Sequence, residues 1–227
     1  MALSYLSGME TEQKALPVLD SEELRVLGSL MEKSKTTPEY YPMTINGLTA
    51  ACNQKSSRKP VVNYDEQTIV LTLDRLKRKG LINTATGGGS RTIKYKHNLA
   101  LVFPLTPDEL AVLCLLILRG PLTPGEINSN SGRLYEFDSL EEVLNVLEKL
   151  SGGEAPFVMQ LPRQTGQKEM RYKHLLGDGS EEFAEDTPIE NSKSNSNNQI
   201  EERLTIVEQE LAELKEAFNK LMKELMG

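Results

Sequence analysis

A short phrase occurs twice in this chain, and its repetition constrains the fold more than any other feature. Tyr-Lys-His at residues 95–97 returns at residues 172–174, 77 positions later, and the two copies contain both histidines. The upstream text repeats too, because Leu-Asp-Ser-Glu-Glu-Leu at 19–24 aligns with Leu-Thr-Pro-Asp-Glu-Leu at 105–110. A period of roughly 80 residues exceeds the roughly 20–50 residues of solenoid repeats. The sequence therefore predicts two related modules, each a small domain.

Each copy predicts a helix, a short helix, a third helix and a two-stranded hairpin. In the first copy, N-cap residues and helical spacing predict helices beginning near residue 20, over 44–52 and over about 65–79. Gly80 is placed to end the third helix. Glycines 87–89 predict the tip of a hairpin that begins at 81 and ends at 97. The second copy predicts helices over about 106–119, 123–131 and 138–150, and strands over 157–161 and 170–174.

This element order is typical of the winged helix-turn-helix. The fold class predicted is mainly α with small β-hairpins (α+β), as two tandem winged helix-turn-helix domains plus a C-terminal coiled-coil helix. The predicted boundaries are a tail at 1–16, domains at 17–100 and 101–176, a flexible acidic linker at 177–199 and the helix at 200–227. His97 and His174 then close the two hairpins, and we interpret them as structural strand residues, with a proton switch as the alternative.

The last predicted helix carries an unbroken heptad seam. Its apolar residues step by alternating intervals of four and three. They are Ile200, Leu204, Val207, Leu211, Leu214, Phe218, Leu221 and Leu225. The flanking charges favour a parallel homo-oligomer over a helix that folds back on its own domain, and the number of strands stays open.

Composition narrows the functional classes. No apolar run approaches the roughly 18 residues of a membrane span, and residues 1–14 lack the features of a signal peptide. Cys52 and Cys114 are predicted to be small buried hydrophobes, not a disulfide or metal site, which fits a cytoplasmic protein. No nucleophile–base pair, phosphate loop or metal-binding motif occurs, so we predict no enzyme activity, no cofactor and no metal.

Several long motifs resemble the YceH-like family of bacterial proteins. They are the stretches at 30–33, 36–38, 41–42, 46–49 and 51–56, with Leu-Arg-Gly-Pro at 118–121, Thr-Pro-Gly-Glu at 123–126 and Leu-Pro-Arg-Gln at 161–164. The resemblance covers residues 17–176. It implies a tandem winged-helix fold and no particular activity.

Net charge separates the two copies. Residues 20–100 carry 13 Lys/Arg against 8 Asp/Glu, whereas residues 101–176 carry 7 against 10 and residues 177–227 carry 5 against 13. Only the first copy is electrostatically suited to a polyanion such as double-stranded DNA. We therefore predict that its third helix, basic turn and wing bind DNA through Lys55, Ser56, Ser57, Arg58, Lys59, Thr68, Thr72, Arg75, Lys79 and Arg91.

The second copy fits DNA less well. Its third helix is predicted to expose Glu141, Glu142, Asn145 and Glu148, whose carboxylates would repel phosphate. Wing contacts remain for Arg163, Gln164, Gln167 and Lys168. Two hypotheses follow. The preferred one is a DNA-binding regulator that self-associates through the coiled coil, and the alternative is a protein–protein adaptor, a role that tandem winged helices fill in chromosome-segregation complexes. For residues 77–79 alone, a cationic helix end that complements the macrodipole explains the charges equally well.

Overall fold

The computed structural model describes residues 15–86, 92–153, 155–163 and 169–178. The predictions for most of the N-terminal tail and for Arg91, Gln164, Gln167, Lys168 and the heptad helix lie outside these residues. About half of the described residues are helical, and two antiparallel hairpins account for the strands. The α+β class is therefore confirmed at this level. Within the described part of the chain, no helix is long and apolar enough to cross a membrane.

The same element order occurs in both halves. The first half contains α1 (Ser21–Thr36), a 3₁₀ turn (Pro38–Tyr40), α2 (Ile45–Cys52), α3 (Glu66–Arg78), β1 (Ile82–Ala85) and β2 (Lys94–His97). A short helix that the sequence did not predict, α4 (Leu99–Val102), leads into the second half. That half contains α5 (Pro107–Arg119), α6 (Pro124–Ser131), α7 (Leu140–Ser151), β3 (Val158–Gln160) and β4 (Tyr172–His174).

Side-chain caps fix where these helices begin. The Asp20 carboxylate accepts the Glu23 N–H at 2.8 Å while the Glu23 carboxylate accepts the Asp20 N–H at 3.0 Å, a reciprocal capping box. Thr44 and Asp65 cap α2 and α3, each with one side-chain hydrogen bond to a backbone N–H group. Such bonds satisfy N–H groups that the helix itself leaves without a partner, so capping residues mark where a helix begins. The predicted helix starts accordingly lie within two residues of the observed ones.

The two hairpins have matching registers. His97 pairs with Ile82 in the first and His174 pairs with Val158 in the second. The loop before the second helix of each half adds a bridge to the repeated tyrosine, Met43 to Tyr95 in one and Leu122 to Tyr172 in the other. The repeated Tyr-Lys-His therefore occupies equivalent positions in two equivalent sheets.

One hydrophobic core runs through both halves. α1 packs against α5, and Gly28 permits a close approach, because a Cβ there would lie 2.8 Å from Ile117 and 2.9 Å from Leu118. Leu19, at the start of the chain's described part, also bonds the end of the second half, donating to the Leu176 carbonyl at 2.8 Å. Gly177, predicted to begin the linker, forms a bridge with Leu19 instead.

Candidate functional site

The predicted DNA-reading face of α3 lies against α1. Thr72 is fully buried and its hydroxyl donates to the Thr68 carbonyl at 2.8 Å. The Arg75 guanidinium lies 2.6 Å from the Glu22 carboxylate, and the Lys79 ammonium lies 2.6 Å from the buried Glu23 carboxylate. The prediction of an outward position is therefore wrong for Thr72, whereas Arg75 is partly exposed and Lys79 is exposed, each with a carboxylate partner on α1. The physical reason is that the acidic first turn of α1 attracts the cations, and the core stripe of α3 is wide enough to include Thr72.

Arg58 is also buried, contrary to the prediction that it binds DNA. Its side chain has no exposed surface, and its two terminal nitrogens lie 2.6 and 3.0 Å from the Glu32 carboxylate. It also donates to the Ala51 carbonyl, which anchors the turn at 53–60 to α2. Burial would raise the pKa of Glu32, but the hydrogen bonds and charge of Arg58, with Lys33, outweigh it and hold that pKa below its usual value. A guanidinium committed in this way is not available to phosphate.

The rest of the basic turn lies where the two halves meet. Lys55, Ser56, Ser57 and Lys59 are exposed. The Arg119 guanidinium donates to Ser57 Oγ and to Asn130 Oδ1, both at 2.8 Å. The Lys59 amide donates to the Leu118 carbonyl at 2.8 Å. The structure thus brings three predicted residues, Lys55, Ser56 and Ser57, to a cleft between the halves.

The exposed face of α3 is partly apolar. It presents Val70 and Leu71 between Gln67 and Asp74, with Lys77 and Arg78 at the end of the helix. On α7, Glu141, Asn145 and Glu148 are exposed as predicted, but Glu142 is half-buried and accepts a hydrogen bond from the Tyr135 hydroxyl at 3.1 Å.

A groove of about 310 Å³ separates α7 from the second hairpin. Its apolar lining includes Leu140, Leu144, Met170 and Tyr172, and Arg163 and Glu169 add charge. Sequence reasoning missed this groove, although one signal was present. Leu144 and Met170 align with Val70 and Ile93 of the first half, so an apolar pair recurs outside the core stripe at equivalent repeat positions.

The two histidines lie in equivalent, largely buried positions. Burial, with a smaller contribution from Lys35, lowers the pKa of His97 to about 4. Burial, with Lys173, lowers the pKa of His174 to about 4. Both imidazoles are therefore neutral at pH 7, which is consistent with their interpretation as structural strand residues. Cys52 and Cys114 are free and buried, and burial raises the pKa of Cys52 to about 11.

Fold and surface together define a duplicated α+β protein in which each half combines three helices with a hairpin. The model of a family described as "Protein of unknown function, DUF480" matches residues 19–167. Two bacterial relatives described as UPF0502 proteins are similar over most of their length. One from Solibacter usitatus is 46% identical over 200 residues, covering 88% of this chain and 94% of its own. One from Pectobacterium carotovorum is 41% identical over 209 residues, covering 90% and 98%.

A third relative, from Opitutus terrae, is 52% identical over 163 residues, which is 71% of each chain. The chain belongs to this DUF480/UPF0502 family of bacterial proteins. The family resemblance inferred from the motifs is thereby confirmed.

Proposed function

We propose that this protein is a protein–protein adaptor built from two winged helix-turn-helix modules. One observation carries the proposal. Val70 and Ile93 are 38% and 49% exposed, and their equivalents Leu144 and Met170 are 43% and 38% exposed. Val70 and Leu144 lie on the third helix, and Ile93 and Met170 lie one and two residues before the return strand. The third helix and the wing are the elements that a winged helix usually presents to DNA. Apolar side chains repeated on that face favour a protein partner over a phosphate backbone.

Charge supports the same interpretation. Glu141 and Glu148 are exposed on α7, and Asp74 is exposed on α3. Carboxylates on an inserted helix repel phosphate, whereas they attract the basic flank of a protein segment. Arg75 and Lys79, two cations expected to read DNA, are ion-paired to α1. The partner is therefore expected to contribute an apolar segment flanked by basic residues. This segment would bind in the groove beside α7.

The test compares partner retention between matched variants of the full chain. Leu144→Asp and Val70→Asp place a charge on the proposed face, and Leu101→Asp places one at an 83% exposed site on α4. The double variant combines Leu144→Asp with Val70→Asp. In quantitative affinity purification, we expect partner proteins to be recovered equally with the wild type and with Leu101→Asp. The same proteins should be depleted about tenfold with the double variant. Equal recovery with all three proteins would contradict the proposal. Unchanged urea midpoints would show that the variants are folded.

DNA binding is the second candidate, and the charge of the first half favours it. Residues 20–100 carry an excess of five positive charges, and Lys77, Arg78 and Lys96 are exposed on α3 and β2. These cations replace the buried or paired ones as the expected phosphate contacts. Binding of the full chain to a mixed-sequence duplex should then weaken with salt, and Arg78→Gln should lower the salt slope by about one. Absence of binding at low salt would remove this candidate.

The heptad helix bears on both candidates. If residues 200–227 form the predicted parallel coiled coil, each oligomer presents several copies of the same face, and weak contacts gain avidity. No catalytic role belongs to this proposal.

A further inference from the structure

A concave, largely polar cleft lies between the two halves. It encloses about 450 Å³, within the size range of small-molecule sites. The end of α1, the turn at 53–60, the end of α5 and the segment around Arg133 form its walls, so both halves contribute. Leu115 and Leu118 supply apolar surface, and Ser56, Ser57 and Asn130 supply polar groups.

The lining carries an excess of positive charge. Four cations line the cleft, Lys33, Lys55, Arg119 and Arg133, against one lining carboxylate, Glu32. Glu32 is already paired with the buried Arg58. Among the described residues, no carboxylate lies within ion-pair distance of Lys55, Arg119 or Arg133. Like charges gathered around a partly enclosed volume repel one another, and an anion relieves that repulsion.

The cleft is also preorganised. Arg119 is held from both halves, since its terminal nitrogens donate to Ser57 and Asn130. These two bonds leave three of the five guanidinium N–H donors for a ligand. Ser57 itself has a φ of 60°, the left-handed region that non-glycine residues seldom adopt. The buried Arg58 beside it donates to the Ser57 carbonyl at 3.0 Å. Strained backbone held by its surroundings is a recurrent feature of ligand sites.

We propose that this cleft binds a small phosphorylated ligand with at least two negative charges. The negative charge of a phosphoryl group complements the positive charge of Lys55, Arg119 and Arg133. The two guanidinium groups can in addition bind phosphate with parallel hydrogen bonds. Leu115 and Leu118 provide a surface for an apolar or ring portion of the ligand. This site is separate from the proposed adaptor face, so neither proposal depends on the other.

Phosphate can also come from a nucleic-acid backbone, and the experiment distinguishes the two sources. The full chain is titrated by calorimetry with inorganic pyrophosphate and with ATP at low ionic strength. The titrations are repeated with Lys55→Gln and Arg133→Gln, and with Lys149→Gln as a control for an exposed cation on α7. Each cleft variant should weaken binding roughly tenfold, the loss expected for one hydrogen bond to a charged group. Lys149→Gln should bind as the wild type does.

Three results would overturn the proposal. The first is no binding of either probe at millimolar concentration. The second is an equal loss with Lys149→Gln, which would indicate general charge attraction. The third is displacement of pyrophosphate by a short mixed-sequence duplex whose own binding falls with the cleft variants, which would assign the cleft to backbone phosphate. Lys55 and Arg133 are exposed, so their substitution should not disturb the fold. An unchanged thermal midpoint in the absence of ligand checks that the variants are folded.

Discussion

The two halves share one architecture but join their first and third helices by different means. In the first half, Thr72 is buried and Arg75 and Lys79 are ion-paired to α1. At the position equivalent to Thr72, the second half has the buried Val146. The first half therefore uses part of its positive charge for internal contacts, with Arg25 and Arg58 buried as well. A module's net charge can thus differ from the charge that its surface presents.

The largest effect expected of a single substitution tests this polar interior at Arg58. Arg58→Ala leaves the Glu32 carboxylate largely buried without its main partner, since its side chain is only 14% exposed. We expect a loss on the order of 3 kcal/mol in the free energy of unfolding, measured by urea titration. Lys55→Ala, in the same turn but exposed, should change it by less than about 0.5 kcal/mol. Similar losses for both variants would contradict the structural role assigned to Arg58.

The pH dependence of stability tests a feature that the halves share. The pKa values of His97 and His174 are lowered to about 4 by burial, so both imidazoles stay neutral in the folded state. The unfolded chain binds protons near pH 6.5, hence stability is full above that pH and falls toward pH 4. By pH 5 the expected loss is about 2 kcal/mol per histidine.

Chemical denaturation at pH 7 and pH 5 measures this loss. His97→Gln and His174→Gln should each remove one histidine's share of the difference between the two pH values. If the double variant loses as much stability as the wild type between pH 7 and pH 5, other groups are responsible.

The smallest effect is expected when the equivalent buried residues Thr72 and Val146 are exchanged between the two halves. Thr72→Val copies the second half and removes a hydroxyl that donates to the Thr68 carbonyl and accepts a hydrogen bond from Arg75, so it should cost about 1 kcal/mol. Val146→Thr inserts a hydroxyl into apolar surroundings and should cost about 1–2 kcal/mol, partly offset by a bond to its own helix. Thermal unfolding of both variants gives the comparison. Equal costs would indicate that the two joints are alike in polarity.

Local chemistry explains how much of this fold the sequence could predict. Caps such as Asp20 and Thr44 act within three residues, so the helix starts were readable from short windows. Arg58 was not, because its partner Glu32 lies 26 residues away and nothing in the turn indicates it. Thr72 was misplaced because its polarity suggested solvent, whereas its helix satisfies its hydroxyl. The cleft was also out of reach, since its lining runs from Glu32 to Leu134.

Gly28 has a consequence for any partner of this protein. Because it has no side chain, α1 and α5 approach closely, and a substituent there would meet Ile117 and Leu118. The two halves are thereby joined along a packed helix pair, and we expect this packing to hold the two proposed partner faces at a constant distance. A bivalent partner whose two segments match that spacing gains an effective concentration for the second contact. The packed pair of α1 and α5 would then select partners by the distance between their two binding segments.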